Sequence, residues 1–187
     1  MPVCERLRRQ QAARIGVDHL KYYDEAFLFA EGNPEPAAGQ EEMVQIARDM
    51  YRELSPETGE FFDFLAKHGL YDLETRPGKH LGGYCTTLPE QQAPFIFSNF
   101  NGSSADVDVL THEAGHAFAY YTAARRQEQS EYFGSTSEIN EIHSMAMEHF
   151  AHPWIDRFFG DAADRYRYRL LFNAPSIIPY YACIIGF

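Results

Sequence analysis

The sequence predicts a mainly α protein with one small β-sheet beside a long helix, and three observations carry that expectation. Apolar residues recur at helical spacing over most of the chain, as in "EEMVQIARDMYREL", where Met43, Ile46, Met50 and Leu54 share one face. Two short segments, "LGGYCTTL" and "APFIFSNF", are aromatic or β-branched and bounded by Gly, Pro and Asn, as strands are. A long run, "LTHEAGHAFAYYTAARR", follows them with no helix breaker but Gly115.

Taken in order, "CERLRRQQAARIG" reads as a helix closed near Gly16, followed by an amphipathic or extended segment and the loop "EGNPEPAAGQ". The next helix starts at Glu41 with acids in its first turn and stops at Ser55-Pro56. "PETGEFFDFLAKHGL" begins another that ends at Gly69. After the two strands, "NGSSADVD" turns the chain and offers Ser103 or Ser104 as the cap of the long helix, which runs to about Gln127. "EQSEYFGSTS" connects it to a helix that Ser137 can cap and that lasts until Pro153. "DAADRYRYRLLF" is the last helical segment, before an apolar end, "IIPYYACIIGF".

The 187 residues are 45% apolar and 23% charged, enough for one domain with a packed core or for part of a larger one. A formal net charge of −11 speaks against nucleic acid as a partner, since a phosphate binder needs a basic face. Cys4, Cys85 and Cys183 are sparse and unpaired in spacing, which suggests reduced thiols in a cytoplasmic protein. The charged N-terminus has no signal-peptide pattern, and the apolar end is too short for a bilayer that needs about 20 residues, so no membrane association is expected. An exposed apolar end of this kind would favour self-association.

The chemistry is concentrated in His112-Glu113-Ala114-Gly115-His116. Residues four apart lie one turn apart on a helix, so the two imidazoles can grip one Zn²⁺ at about 2.0–2.1 Å each. Glu113 then stands beside the metal as a general base, the arrangement of zinc peptidases. The competing reading is a His-rich helix that binds nothing. A catalytic zinc needs a third protein ligand, and the following helix offers Glu138, Glu141, His143, Glu148, His149 and His152. The motif helix travels roughly 16 Å beyond His116 before the chain turns back, which puts a ligand in the first turn or so of the next helix. Glu138 and Glu141 both fit, with a modest preference for Glu141; Glu148 and His152 overshoot. His143 points about 160° away from Glu141, so the two cannot serve one metal. The metzincin pattern is excluded because Ala119 and Thr122 stand where its Gly and third His belong, and the thermolysin-like pattern because Met145 stands where an acid belongs.

The run "GKHLGGYCTTLPEQQAPFIFSNFNGSSADVDVLTHEAGHAF" followed by "EINEIHSMAMEHF", with "GNPEP" and "LSPETGEFF" upstream, resembles the oligoendopeptidase F group of the M3 zinc metallopeptidases over almost the whole chain. The resemblance implies a zincin-like catalytic core, with one zinc per chain held by His112, His116 and Glu141, the last 25 residues after the second His. Glu148, seven residues later, takes the position of a further Glu of the family; about two turns from Glu141 on the same face, it is a candidate to orient a ligand His, with a solvated or salt-bridged acid as the competing reading. Zinc would polarise the scissile carbonyl and a water, and Glu113 would take the water's proton and pass it to the leaving amine of a short oligopeptide.

Further expectations concern the substrate. "APFIFSNF" would offer a peptide its backbone edge, Gly82 and Gly83 would allow a chain to approach closely, and His143 would touch the substrate. His80, His149 and His152 read as surface or packing residues, Cys85 as a small strand residue, and Phe118 and Tyr121 as core. Family members are considerably longer, and their downstream region supplies His and Tyr side chains to the reaction. Residues 1–187 are therefore expected to form a single partial catalytic domain. An active zinc oligopeptidase is the leading expectation; a zinc-binding remnant with little or no hydrolysis and a helical protein with a fortuitous motif are the alternatives.

Overall fold

The computed structural model describes residues 2–172. Its helices are α1 (Pro2–Ile15), α2 (Gln40–Leu54), α3 (Pro56–His68), α4 (Ala105–Arg126), α5 (Ser137–Phe150), α6 (Ile155–Phe159) and α7 (Ala163–Leu170). Its strands are β1 (Tyr71–Glu74), β2 (Tyr84–Leu88) and β3 (Ala93–Phe100). The protein is thus mainly helical with one small sheet, as the sequence predicts. The apolar end and Cys183 lie outside the described residues. The chain divides into two compact units, Met1–Glu35 with Asp161–Phe187, and Pro36–Gly160.

In the first unit, Leu28, Phe29 and Phe172 form a small core with Leu7 and Tyr168 against it. The Arg14 guanidinium lies 3.8 Å from the centre of the Tyr168 ring. The buried Gln11 amide donates to the carbonyls of Glu25 and Phe27 at 3.1 and 2.7 Å, which ties α1 to the loop that follows it.

In the second unit, α2 buries Met43, Ala47, Met50 and Tyr51, one helical stripe. Ser55 ends α2 and caps α3, accepting from the Thr58 N–H at 3.2 Å with Pro56 in the first turn. Gly69 closes α3 in the left-handed conformation, φ 59°. A Cβ on Gly59 would come within 2.9 Å of the Arg52 Cα, so α2 and α3 touch at their backbones. Phe61 of α3 meets Phe118 and Tyr121 of α4 edge-on at 5.4 and 5.5 Å, which confirms both as packing residues and seats α4 on α3.

The sheet has the order β1-β3-β2, with β1 parallel and β2 antiparallel to β3. β1 was not expected: "YDLE" is short and half acidic, without a usable alternation, and its place is fixed by what it pairs with. β3 is therefore the central strand, and both its edges are taken. The expectation that "APFIFSNF" offers a free edge to a peptide is corrected; the edge strand next to it is β2. Lys79 locks the chain between β1 and β2. Its buried ammonium reaches Asp72 Oδ1 and the carbonyls of Asp72, Glu74 and Ser98 at 2.6–3.1 Å.

Candidate metal centre and cleft

α4 carries the central motif and packs against β3. Its first turn is held by the buried Asp106, whose carboxylate accepts the backbone N–H groups of Asn101 and Gly102 at 3.1 and 2.7 Å. Ser104 is the first flanking residue, but neither Ser103 nor Ser104 caps the helix through its side chain. Burial raises the Asp106 carboxyl pKa, and the two N–H donors oppose that shift. Ser137 is likewise the first residue of α5 rather than its cap, which falls on Thr136.

His112 and His116 stand one turn apart with ring centres 4.9 Å from each other. α5 crosses α4 at Gly115: a Cβ there would lie 2.6 Å from the Ser144 Cα and 2.7 Å from the His143 carbonyl oxygen. This close crossing brings Glu141 to both rings, with 3.2 Å from His112 Nε2 to Oε2 and 3.8 Å from His116 Nε2 to Oε1. Ligand atoms about 2 Å from one tetrahedral zinc are roughly 3.3 Å apart, so these spacings fit the ion. Two imidazole nitrogens and a carboxylate oxygen, all within 4.8 Å of one another, could hold a metal ion and are compatible with a zinc site that keeps one position open.

Further contacts hold the members of this trio in place. Glu148 Oε1 lies 2.6 Å from His112 Nδ1; a carboxylate only accepts, so Nδ1 donates to it and Nε2 is the nitrogen turned toward Glu141. That hydrogen bond is the main cause of a raised His112 pKa, whereas burial lowers that of His116. Ser144, fully buried at the crossing, donates from Oγ to Glu141 Oε2 at 3.0 Å. Glu138, the other candidate for third ligand, is absent from the trio.

Glu113 is 7% exposed and lies between α4 and β2. Burial is the largest influence on its carboxyl and raises the pKa; the charge on His112 and a hydrogen bond from the Cys85 backbone N–H work the other way. The Cys85 thiol, half-buried in the same place, is pushed up to about 12 by burial and by the Glu113 charge.

The trio opens into a cleft of about 570 Å³ bounded by α4, β2 and the segment leading into α5. Gly83 and His143 line it. Gly82 does not: it turns the chain before β2 at φ 106°, while the missing Cβ of Gly83 accommodates Val109 of α4.

Comparison with known proteins decides the family. The model of peptidase family M3 matches residues 59–159, more than half of the chain. The chain belongs to peptidase family M3. An M3 relative from Bacillus anthracis strain Ames, described as an oligoendopeptidase F, is 51% identical over 96% of this chain, with a TM-score of 0.91. The structure of Pz peptidase A with an inhibitor is 50% identical over 96% of this chain, again with a TM-score of 0.91. The M3 chain covers 33% and 32% of those two chains, about a third of their length. No curated protein matches it.

Three features of this M3 site escaped the sequence reading. Ser144 was hidden because a Ser inside a helix has no signature of its own, and the Cys85 N–H because backbone donors carry no side-chain signal. The role of Gly115 had a visible cue, since a Gly inside a helical run costs about 1 kcal/mol and asks for a packing reason.

Proposed function

We propose that this chain is the partial catalytic domain, zincin-like in arrangement, of a zinc-dependent endopeptidase that hydrolyses short oligopeptides. The observation that carries the reading is the convergence of His112, His116 and Glu141 with Glu113 buried next to them. Family membership supports the same chemistry.

Bound by that trio, zinc supplies Lewis-acid polarisation of the scissile carbonyl and of a water. The protein's own groups do the rest. Glu113 accepts the proton of the attacking water and delivers it to the leaving amine as the C–N bond breaks. Its raised pKa, a consequence of burial, suits a group that must hold a proton between those two events. Glu148 keeps His112 in the ligand tautomer, and Ser144 keeps the Glu141 carboxylate turned toward the imidazoles. Among the described residues β2 is an edge strand beside the cleft, and it offers an extended peptide the backbone groups that Glu113 does not take, with Gly83 and His143 lining the same cleft.

The experiment has two arms. The purified chain is expected to bind one zinc, and His112→Ala to bind none under the same conditions. The zinc-loaded chain is expected to cleave a quenched peptide of five to ten residues on the order of 10²-fold or more faster than Glu113→Gln. Equal cleavage by both would reject Glu113 as the base. A second reading is zinc binding with little hydrolysis, and one bound zinc without Glu113-dependent turnover would establish that reading instead.

A further inference from the structure

The face of α5 turned away from α4 is apolar, unlike the exposed face of α2. α2 shows solvent Glu41, Glu42, Gln45, Arg52 and Glu53, the polar stripe of an ordinary surface helix. On α5, Ser144 and Met147 are buried on the side of the Gly115 crossing. Ile139, Ile142, Met145 and Phe150 fall on the other side, within an arc of about 140° at 100° per residue. Each of the four is between 43% and 59% exposed. Single apolar residues scattered on a surface need no partner, but four on one helix face make a patch of roughly 400 Å². None of the four lines the cleft, so the patch is surface outside the candidate metal centre.

The order of residues on this face points to what covers it. Reversed about a point between His143 and Ser144, the face maps onto itself. The reversal carries Ile142 onto Met145 and Glu138 onto His149, and it brings Ile139 to within two residues of Phe150. Self-complementarity of this kind is what a two-fold interface requires, since residue i then meets j while j meets i. In an antiparallel pair of α5 helices, Ile142 faces the partner's Met145 at the centre. Glu138 faces the partner's His149 at each end, where an imidazole N–H can donate to the carboxylate. Glu138 stands in the first turn of α5 and His149 in the last, so helix ends of opposite partial charge also meet. A parallel pair would set Glu138 against the partner's Glu138, a juxtaposition of like charges that costs affinity.

We infer that the exposed face of α5 is the contact of a two-fold symmetric dimer, in which a second copy of this chain lies antiparallel across Ile139, Ile142, Met145 and Phe150. The patch is about half the 800 Å² or so that each partner contributes to a standard interface, so the dimer is weak and depends on concentration. Its cleft-bearing side faces away from the contact in both copies.

Sedimentation velocity on the full chain, from about 1 to about 300 μM, is expected to show monomer giving way to dimer, as suits an interface of this size. Ile142→Glu puts a carboxylate against the partner's Met145 and is expected to raise the dissociation constant about tenfold or more. Glu138→Lys is expected to weaken the dimer about threefold or more, and Glu138→Lys with His149→Glu to restore it. Melting curves at the dilute end keep loss of association apart from loss of fold, and all three positions are exposed. A chain that stays monomeric throughout overturns the inference. So does a dimer that Ile142→Glu leaves intact, because it forms through another surface, or one that the double exchange fails to restore. If the chain alone is monomeric but binds, through Ile142, the unmatched remainder of a longer M3 relative added as a separate polypeptide, the face belongs to that occupant and the inference falls.

Discussion

At the scale of single residues, the candidate centre depends on side chains that would not touch the metal. Glu148 and Ser144 each hold one ligand by a hydrogen bond, at 2.6 and 3.0 Å, but they differ in what their loss leaves behind. Without the Glu148 carboxylate, His112 loses the charge that fixes its tautomer and supports its basicity. Without the Ser144 hydroxyl, Glu141 loses one neutral donor, and the site keeps its shape because Ser and Ala differ by a single atom. Glu148→Gln is therefore expected to weaken zinc binding by about 10–100-fold, and Ser144→Ala by less, near the lower end of that range. Competition with a chromogenic chelator measures both. Equal affinity in wild type and Glu148→Gln would mean that Glu148 is a surface acid that happens to lie near His112.

At the scale of elements, what could be read in the sequence and what could not divide along one line. α2, α3, α4 and α5 were legible because their boundaries are written locally, as in the Ser55-Pro56 stop and the Gly69 cap. The metal trio was legible through its spacing together with the family resemblance; spacing alone left Glu138 open. The packing of α5 runs against its apolar pattern: Ile142 and Met145 are 59% and 48% exposed, while Ser144 and Met147 are buried. The crossing at Gly115 is so close that only a small residue fits there, and Ser144 and Glu141 share the face that results. Bulky apolar residues are a poor guide where backbones touch. β1 and the Lys79 lock were missed for the opposite reason, because they are defined by long-range partners.

The same lock makes a prediction for the sheet. Arg76 and Lys79 hold the Asp72 carboxyl far below the usual carboxylate range. A depressed folded-state pKa contributes stability above the unfolded value of about 3.9, and that contribution fades as pH falls below it. Wild type is thus expected to be more stable than Asp72→Asn by a constant margin above about pH 5, with the margin narrowing as acid protonates Asp72. Urea unfolding at a series of pH values checks this, and a margin that grows on acidification would contradict it.

For the molecule as a whole, the two compact units have different relations to the metal. All three candidate ligands, and Glu148 and Ser144 that contact them, belong to Pro36–Gly160. A ligand that binds only the folded state adds stability to the cooperative unit containing its site, by about 2.7 kcal/mol when free zinc is 100 times its dissociation constant. For a unit of this size, such a gain corresponds to roughly 5–15 °C in Tm. The candidate ligands come from α4 and α5, which meet at Gly115 and are joined by a long connection, so the ion would add a further link between the two helices. Zinc is therefore expected to raise the melting temperature and to slow amide exchange in α4 and α5, with both effects absent in His112→Ala. A chain that binds one zinc with no change in exchange on either helix would place the ion somewhere other than between them.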